Sequence, residues 1–331
     1  MVAMGILYFT VSCPKNGGNM ILLNGSLISY MEAYGTEEKC LESIYQSKWP
    51  RGFVCPSCEH NNGYRLSRRR TMECSCCGRQ TSITADTIFE DSRIPLPCWF
   101  LAIYLVANDK GGVSATRLGK QLGVQRKSAA LLLRKLRISM GDRDEMLTLA
   151  GYIELDEAFL GGKSHSRTEG KSPFEGKVQV LVMVESENMK AGNLVLKVIP
   201  DTKIETLQEV AAQKVESDPP GQVFRTDALG RHHGLRSLGH YVNMTKMAKT
   251  ELNTKMACLS LAISHLKRFF KGTYHHFCKL NIQSYLNEFC YRWNRRHLEK
   301  QIASHVITAC VLHKPVPAPK RKSKTTYLQA A

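Results

Sequence analysis

The sequence predicts an α/β protein in which a mixed sheet with flanking helices follows a cysteine-rich module and a helix pair. Paired Cys-x-x-Cys motifs stand in the first quarter of the chain, and two amphipathic helical patterns joined by a glycine come next. Beyond residue 150 the pattern changes to strand, strand, strand, helix, strand and then helices. Because the fourth strand follows a crossover helix, it should lie parallel to a partner in the same sheet, and the first strand is the natural candidate.

The net charge of the chain indicates the class of its partner. The 331 residues, 43% of them hydrophobic, suffice for several domains with substantial cores, and the formal charge at pH 7 is +17. An excess of Lys and Arg of this size is expected of a protein that neutralises DNA phosphates. A membrane surface is the competing partner, but no run approaches the roughly 18 apolar residues of a spanning helix. The start also lacks a charged signal-peptide region, so a cytoplasmic protein is expected.

Four cysteines have the spacing of a structural zinc site. Cys55 and Cys58 form one Cys-x-x-Cys pair, Cys74 and Cys77 form a second, and fifteen residues separate the pairs. Five of the twelve cysteines of the chain cluster between Cys55 and Cys77 instead of spreading at disulfide spacings, and Cys76 is a spare. Thiols that only pack as small apolar groups are the alternative. Four thiolates around one Zn²⁺ leave no open position, so this metal would hold the fold.

The segment from residue 111 to 137 has a helix-turn-helix pattern. Ser114 is a plausible N-cap and Gly123 supplies the turn between two apolar stripes. The positions expected to be exposed are almost all cationic, as a helix lying on a duplex requires: Arg117, Lys120, Arg126, Lys127, Arg134, Lys135 and Arg137. An ordinary amphipathic helix pair with a solvated basic face is the alternative.

Two aspartates are expected to meet at one end of the sheet. Asp156 stands near the end of the first strand, and Asp227 follows the fourth strand 71 residues later. Strand alternation turns Glu157 to the opposite face from Asp156, while Gly161 and Gly162 let the chain turn near the site. Two adjacent carboxylates repel unless cations lie between them, so we expect two Mg²⁺ ions, which prefer oxygen ligands. A solvated strand end is the alternative for an isolated Asp-Glu pair.

The C-terminal part of the strand-rich region is helical. Helices are expected at about 253–270 and 282–296, and the aromatic side chains of the second recur at helical spacing, which favours core packing over base stacking. The predicted organisation is an N-terminal extension and helix at 1–50, a zinc ribbon at 51–85, a helix-turn-helix region at 95–145, an α/β domain at 150–300 and a basic tail at 301–331.

Taken in order, these features resemble a known family. The zinc ribbon, the helix-turn-helix and the runs LDEAFLGGK, FRTDALG and HLKRFFKGTYHHF…YLNEFCYRWNRR are similar to those of ISXO2-like transposases of the IS1595 insertion-sequence family, over about residues 35–300. The resemblance implies a ribonuclease H-like catalytic domain in which Asp156 and Asp227 begin an acidic triad. It also implies a homo-oligomer that binds the terminal inverted repeats of an element and catalyses metal-dependent strand cleavage and strand transfer on double-stranded DNA.

The chain departs from the family pattern at the third catalytic position. The family usually has Asn, or in some branches Glu, on the helix ahead of a lysine that corresponds to Lys267. Here His265 stands where Asn is usual and Ser260 stands where other branches carry Glu. We expect His265 to complete the metal site, with Ser260 as the alternative. The rival functions are a transposase-derived DNA-binding regulator without catalysis and a plain nuclease.

Overall fold

The computed structural model describes residues 26–66, 70–161, 177–217, 221–227, 230–244, 254–274 and 279–317. The expected turn residue Gly162, most of the N-terminal extension and the end of the tail lie outside these residues. Within the described part of the chain, no helix is both long and apolar enough to cross a bilayer. The helices are α1 (Leu27–Tyr34), α2 (Glu37–Lys48), α3 (Leu96–Asn108), α4 (Ala115–Leu122), α5 (Arg126–Arg143), α6 (Ile204–Lys214), α7 (Ala257–Thr273), α8 (Ile282–Asn294) and α9 (Ile302–Leu312). The strands are β1 (Gly63–Leu66), β2 (Thr71–Cys74), β3 (Gln80–Ser82), β4 (Tyr152–Leu160), β5 (Val178–Glu187), β6 (Lys190–Ile199), β7 (Val223–Thr226) and β8 (Tyr241–Met244).

The five-stranded sheet has the order β6-β5-β4-β7-β8. Strands β4, β5 and β6 pair antiparallel, whereas β7 and β8 run parallel to β4. One face packs against α7 and α8, and the other packs against α6 and a 3₁₀ segment at Gly230–Leu238. The crossover through α6 thus gives the parallel β4–β7 neighbours that the sequence predicts, and the sheet has the expected ribonuclease H-like architecture.

The N-terminal helices and the cysteine-rich module form a second core. Strands β1, β2 and β3 make an antiparallel sheet, whose apolar side chains pack with those of α2 and α3. The predicted helix pair is present as α4 and α5. Ser114 accepts a hydrogen bond from the Arg117 backbone N–H, and Gly123 adopts a φ of 65°, the left-handed conformation that a glycine cap tolerates best.

The expectation of a basic tail at 301–331 is wrong for its first part. Residues Ile302–Leu312 form α9, which packs against α2, α3 and α5. Val306 and Cys310 are fully buried, and the Cys310 carbonyl accepts a hydrogen bond from the Ile88 backbone N–H at 3.1 Å. The apolar residues of this segment cover most of the helix surface, and such a helix is stable only inside a core.

Two of the cationic positions expected on the exposed face of α5 are buried instead. Lys135 is 9% exposed and donates from Nζ to the Ile88 carbonyl at 3.1 Å. Arg137 is 5% exposed and its Nε lies 2.6 Å from Oε2 of Glu288 on α8. These side chains find polar partners on segments distant in sequence, which the periodicity of α5 alone does not reveal.

Candidate active site and metal centre

The carboxyl ends of β4 and β7 bring two aspartates together. Leu155 pairs with Thr226 in the parallel ladder, so the next residues, Asp156 and Asp227, follow at adjacent positions. Asp156 is half-buried, and the Asp227 side chain is 30% exposed. The adjacency expected from the sequence is therefore present. Gly161, just beyond β4, has a φ of 77°, consistent with the expected turn there.

The environment of Asp156 disfavours its ionised form. Burial, together with the nearby carboxylates of Asp227 and Glu157, raises the pKa of Asp156 to about 6, although the Glu157 backbone N–H donates to Asp156 Oδ1 at 2.7 Å. The ends of β4 and β7 thus gather the negative charge of Asp156, Asp227 and Glu157 in one place. A divalent cation with oxygen ligands would relieve this repulsion, so the residues present fit Mg²⁺ or a similar ion.

Glu157 lies on the opposite face of the sheet, as strand alternation requires. Its Oε1 is 3.3 Å from Nε2 of His232, whose ring is fully buried in the 3₁₀ segment. Nδ1 of the same ring lies 3.5 Å from Oδ1 of Asp227 and also contacts Oγ1 of Thr226. The sequence pattern did not identify His232. The sequence shows only that a histidine follows Asp227 by five residues.

Helix α7 carries the candidates for the third catalytic position. The carboxylate of buried Glu154, two residues before Asp156, accepts the Leu259 backbone N–H at 2.7 Å and so fixes the first turn of α7 over β4. Ser260, one of the two candidates, is the residue directly after Leu259. Five residues turn a helix by roughly 140° relative to the starting direction, so His265 points to a different side from Ser260.

His265 contacts α8. Its ring packs edge-on against Trp293 with 5.8 Å between centroids, and partial burial, assisted by Arg268, lowers its pKa. Lys267 is exposed on α7. The structure therefore brings Asp156 and Asp227 together and shows His265 against the aromatic side of α8. Tyr285, Phe289 and Trp293 pack into the core, as their spacing predicts.

The four cysteines of the ribbon converge on one point. The Sγ atoms of Cys55, Cys58, Cys74 and Cys77 all lie within 4.8 Å of one another, and three of the pairs are 3.4–3.7 Å apart. A zinc–sulfur tetrahedron with bonds of about 2.3 Å has sulfur–sulfur edges of about 3.8 Å, so the cluster fits one Zn²⁺. Cys76 lies outside the cluster, which assigns the second pair to Cys74 and Cys77 as the spacing predicts.

Four of the predicted DNA-binding cations are exposed on α4 and at the start of α5. Arg117, Lys120, Arg126 and Lys127 are exposed, and Arg117 also pairs with Asp109 at 2.7 Å. Arg134 is half-buried, with NH1 3.3 Å from the Pro317 carbonyl. The four exposed side chains therefore form a basic surface around the turn between the helices, and Arg143 at the end of α5 is exposed as well.

Two family matches cover these features. Residues 148–294 match the ISXO2-like transposase domain, and residues 35–80 match the transposase zinc-ribbon domain of the same IS1595 group. The chain belongs to the ISXO2-like transposases of the IS1595 family. The first match contains both aspartates, and the second contains all four ribbon cysteines.

More distant similarities accompany the family matches of the transposase. An uncharacterized protein in transposable element ISH50 of Halobacterium salinarum is 24% identical over 241 residues, which cover 64% of this chain and 79% of that protein. The Mos1 mariner paired-end complex with Mn covers 65% of this chain and 79% of its own, at 12% identity and a TM-score of 0.28. A pre-cleavage Mos1 transpososome covers 63% and 78%, at 12% identity and a TM-score of 0.25. The TM-scores are too low to carry an argument about the site.

Proposed function

We propose that this transposase cleaves the ends of its element and joins them to target DNA at a divalent-cation site formed by Asp156 and Asp227. The observation that carries the proposal is their adjacency at the ends of β4 and β7, together with the raised pKa of Asp156. Perturbed carboxylates of this kind are typical of catalytic sites. When bound, two Mg²⁺ ions activate an attacking oxygen and stabilise the leaving oxygen of an in-line displacement at phosphorus.

The residues of the chain hold and orient this centre. The carboxylates of Asp156 and Asp227 are the ligands, and the Glu157 backbone N–H fixes one oxygen of Asp156. Hydrolysis by water frees a 3′-hydroxyl at the element end, and attack by that hydroxyl on the target exchanges one phosphodiester for another. The exchange is nearly isoenergetic and needs no nucleotide hydrolysis. Lys267, exposed on α7, is a candidate for contact with a nearby phosphate.

His265 and Ser260 are the candidates for the third ligand. Imidazole is the commoner metal ligand in proteins, whereas Ser260 offers an oxygen and adjoins Leu259, whose backbone N–H donates to Glu154 of β4. Alanine variants distinguish them. Loss of cleavage in His265→Ala with activity retained in Ser260→Ala would assign the role to His265, and the reverse would assign it to Ser260.

The zinc ribbon and helix pair supply DNA binding in this proposal. Zn²⁺ at the four cysteines stabilises the ribbon, and Arg117, Lys120, Arg126, Lys127 and Arg134 are the candidate phosphate contacts on double-stranded DNA. Strand transfer joins two element ends to one target, which favours a homo-oligomer assembled on the DNA.

A catalytically inactive DNA-binding regulator is the second candidate. It is favoured by one observation, the absence of a carboxylate at both His265 and Ser260. A labelled duplex containing the DNA that flanks the gene distinguishes these functions when incubated with protein, Mg²⁺ and a target plasmid. The transposase predicts specific nicks at the element ends and joined products. Binding without nicks would establish the regulator, and nicks without joined products would establish a nuclease.

A further inference from the structure

The His232 ring connects the two faces of the sheet next to the proposed metal site. It is fully buried, and its two nitrogens face different partners: Nε2 faces Glu157 Oε1 at 3.3 Å, and Nδ1 faces Asp227 Oδ1 at 3.5 Å. Thr226 Oγ1 also contacts Nδ1. A single side chain from the 3₁₀ segment therefore joins β4, through Glu157, to the end of β7.

The partners differ in how firmly they are held. Glu157 lies within β4, and its side chain is 2% exposed, so its position is fixed by the sheet. Asp227 lies one residue beyond the β7 ladder, and its side chain is 30% exposed. A carboxylate at a strand end can adopt several rotamers. Binding a cation restricts the side chain to one of them, and this loss of side-chain entropy lowers the affinity for the cation. The contact of the buried His232 ring with Asp227 Oδ1 restricts this carboxylate before a cation binds, so less entropy is lost on binding.

We propose that His232 is a positioning residue that fixes the Asp227 carboxylate for cation binding, with Glu157 as its anchor. The proposal rests on the proposed function, because it assumes that Asp227 is a ligand. Partners behind the ligands of a metal site typically change affinity by about 10–100-fold when removed. A purely structural role, in which the ring only neutralises buried Glu157, would predict no link to cation affinity beyond general stability.

Two substitutions separate these roles because they retain different halves of the ring's contacts. In His232→Gln the amide nitrogen can reach the position of Nε2, so the contact with Glu157 is kept and the contact with Asp227 is lost. In His232→Asn the amide reaches the position of Nδ1, so the contact with Asp227 is kept and the contact with Glu157 is lost. The neighbouring His233 is exposed, and His233→Gln is the matched control.

The experiment uses the full-length zinc-loaded protein without DNA. Mn²⁺ binding is followed by electron paramagnetic resonance, and thermal unfolding is measured in parallel. We expect the Tm of His232→Gln, which also loses the contact with Thr226 Oγ1, to fall less than that of His232→Asn, while its Mn²⁺ affinity falls about tenfold or more. We expect His232→Asn to have a lower Tm but an Mn²⁺ affinity closer to that of the wild type. His233→Gln should match the wild type in both measurements.

Asp227→Asn separates failure of this proposal from failure of the proposed function. If Asp227→Asn loses Mn²⁺ binding but His232→Gln binds Mn²⁺ like the wild type, the positioning role is overturned and the metal site stands. If affinity and Tm fall together in both His232 variants, the ring is only structural. If Asp227→Asn binds Mn²⁺ as the wild type does, the proposed metal site is overturned and the positioning role with it.

Discussion

Asp156 is half-buried near the end of β4, where the carboxylates of Asp227 and Glu157 are close enough to affect its ionisation. Its pKa of about 6, against an ordinary 3.8, means that ionisation is less favourable in the folded than in the unfolded chain. The ionised side chain therefore destabilises the metal-free fold by on the order of 1–3 kcal/mol, since one pKa unit is about 1.4 kcal/mol. A raised carboxyl pKa gives a destabilisation that is absent well below pH 3.8, grows as the pH rises from 3.8 to about 6, and is fully present above that value.

The isosteric variant Asp156→Asn tests this repulsion. An amide oxygen can still accept the Glu157 backbone N–H, but the charge is gone. With the ribbon zinc retained and no added Mg²⁺, we expect the substitution to raise the free energy of unfolding by about 1–3 kcal/mol at pH 8 and by clearly less at pH 4.5, which lies near the ordinary carboxyl pKa. Denaturant unfolding at both pH values measures the difference, with the exposed Glu209→Gln on α6 as control. A destabilised variant at pH 8 would contradict the electrostatic account.

The position of Asp156 beside Asp227 could be predicted from the sequence because it depends on strand alternation and on the crossover rule. His232 could not be found in this way. Its contacts depend on the path of the irregular 3₁₀ segment, which no periodicity encodes. The same limit applies to His265, whose ring packs against Trp293 through the relative placement of α7 and α8.

At the scale of elements, the helix pair and the ribbon were predictable because each has a strong local signal. Apolar periodicity and a left-handed glycine define α4 and α5, and cysteine spacing defines the ribbon. The exposure of individual cations was less predictable. Helical periodicity predicts that Lys135 is exposed, but its side chain is buried and donates to the carbonyl of Ile88, 47 residues away in sequence.

Neutralising the start of α5 should weaken DNA binding. The double variant Arg126→Gln/Lys127→Gln removes two exposed cations that have no role in the cores. We expect lower affinity and a slope of log affinity against log salt that is shallower by about 1.8, since each phosphate contact contributes about 0.9. Fluorescence anisotropy at several salt concentrations measures both. The control is the double variant Lys190→Gln/Lys203→Gln, which removes two exposed cations outside the helix pair and should keep the wild-type slope. Equal slopes in the two double variants would contradict a role of the helix pair in DNA binding.

The ribbon offers an internal control for zinc binding. Cys58→Ser removes a thiolate of the cluster, whereas Cys76→Ser removes the neighbouring cysteine outside it. Because four thiolates close the site and zinc affinity contributes to folding, we expect Cys58→Ser to lose the metal and the ordered ribbon, and Cys76→Ser to keep both. Elemental analysis and amide hydrogen exchange test this. Stoichiometric zinc in Cys58→Ser would contradict the assignment.

At the scale of the whole molecule, a buried polar network joins the helix pair to the α/β domain. Arg137 of α5 pairs with Glu288 of α8, and the Tyr274 hydroxyl accepts from Arg137 NH2 at 3.1 Å and from the Val113 backbone N–H at 3.0 Å. Glu288 is fully buried. Tyr274 and Glu288 belong to the GTYH and YLNEF runs by which the sequence resembles its family, so part of that resemblance reflects the junction between the domains.

Breaking this network should destabilise the fold far more than breaking a surface pair. In Glu288→Gln the buried Arg137 guanidinium loses its counter-charge, and we expect a loss of about 3–5 kcal/mol in the free energy of unfolding. The control is Glu42→Gln, which breaks an exposed pair with Arg65 and should cost less than about 1 kcal/mol. Denaturant unfolding measures the loss in the free energy of unfolding for both variants. Equal losses would contradict the expectation that the buried pair contributes more to stability than the exposed pair.

Metal rescue tests the central claim, that Asp156 and Asp227 are the ligands of the catalytic cation, most directly. A thiolate is a poor ligand for Mg²⁺ and is accepted more readily by Mn²⁺. With duplexes containing the DNA that flanks the gene, Asp156→Cys and Asp227→Cys should bind but not cleave in Mg²⁺, and should regain part of the wild-type cleavage rate in Mn²⁺. Glu209→Cys, at an exposed position of α6, should cleave like the wild type in both metals. Wild-type cleavage by either aspartate variant in Mg²⁺ would contradict the account.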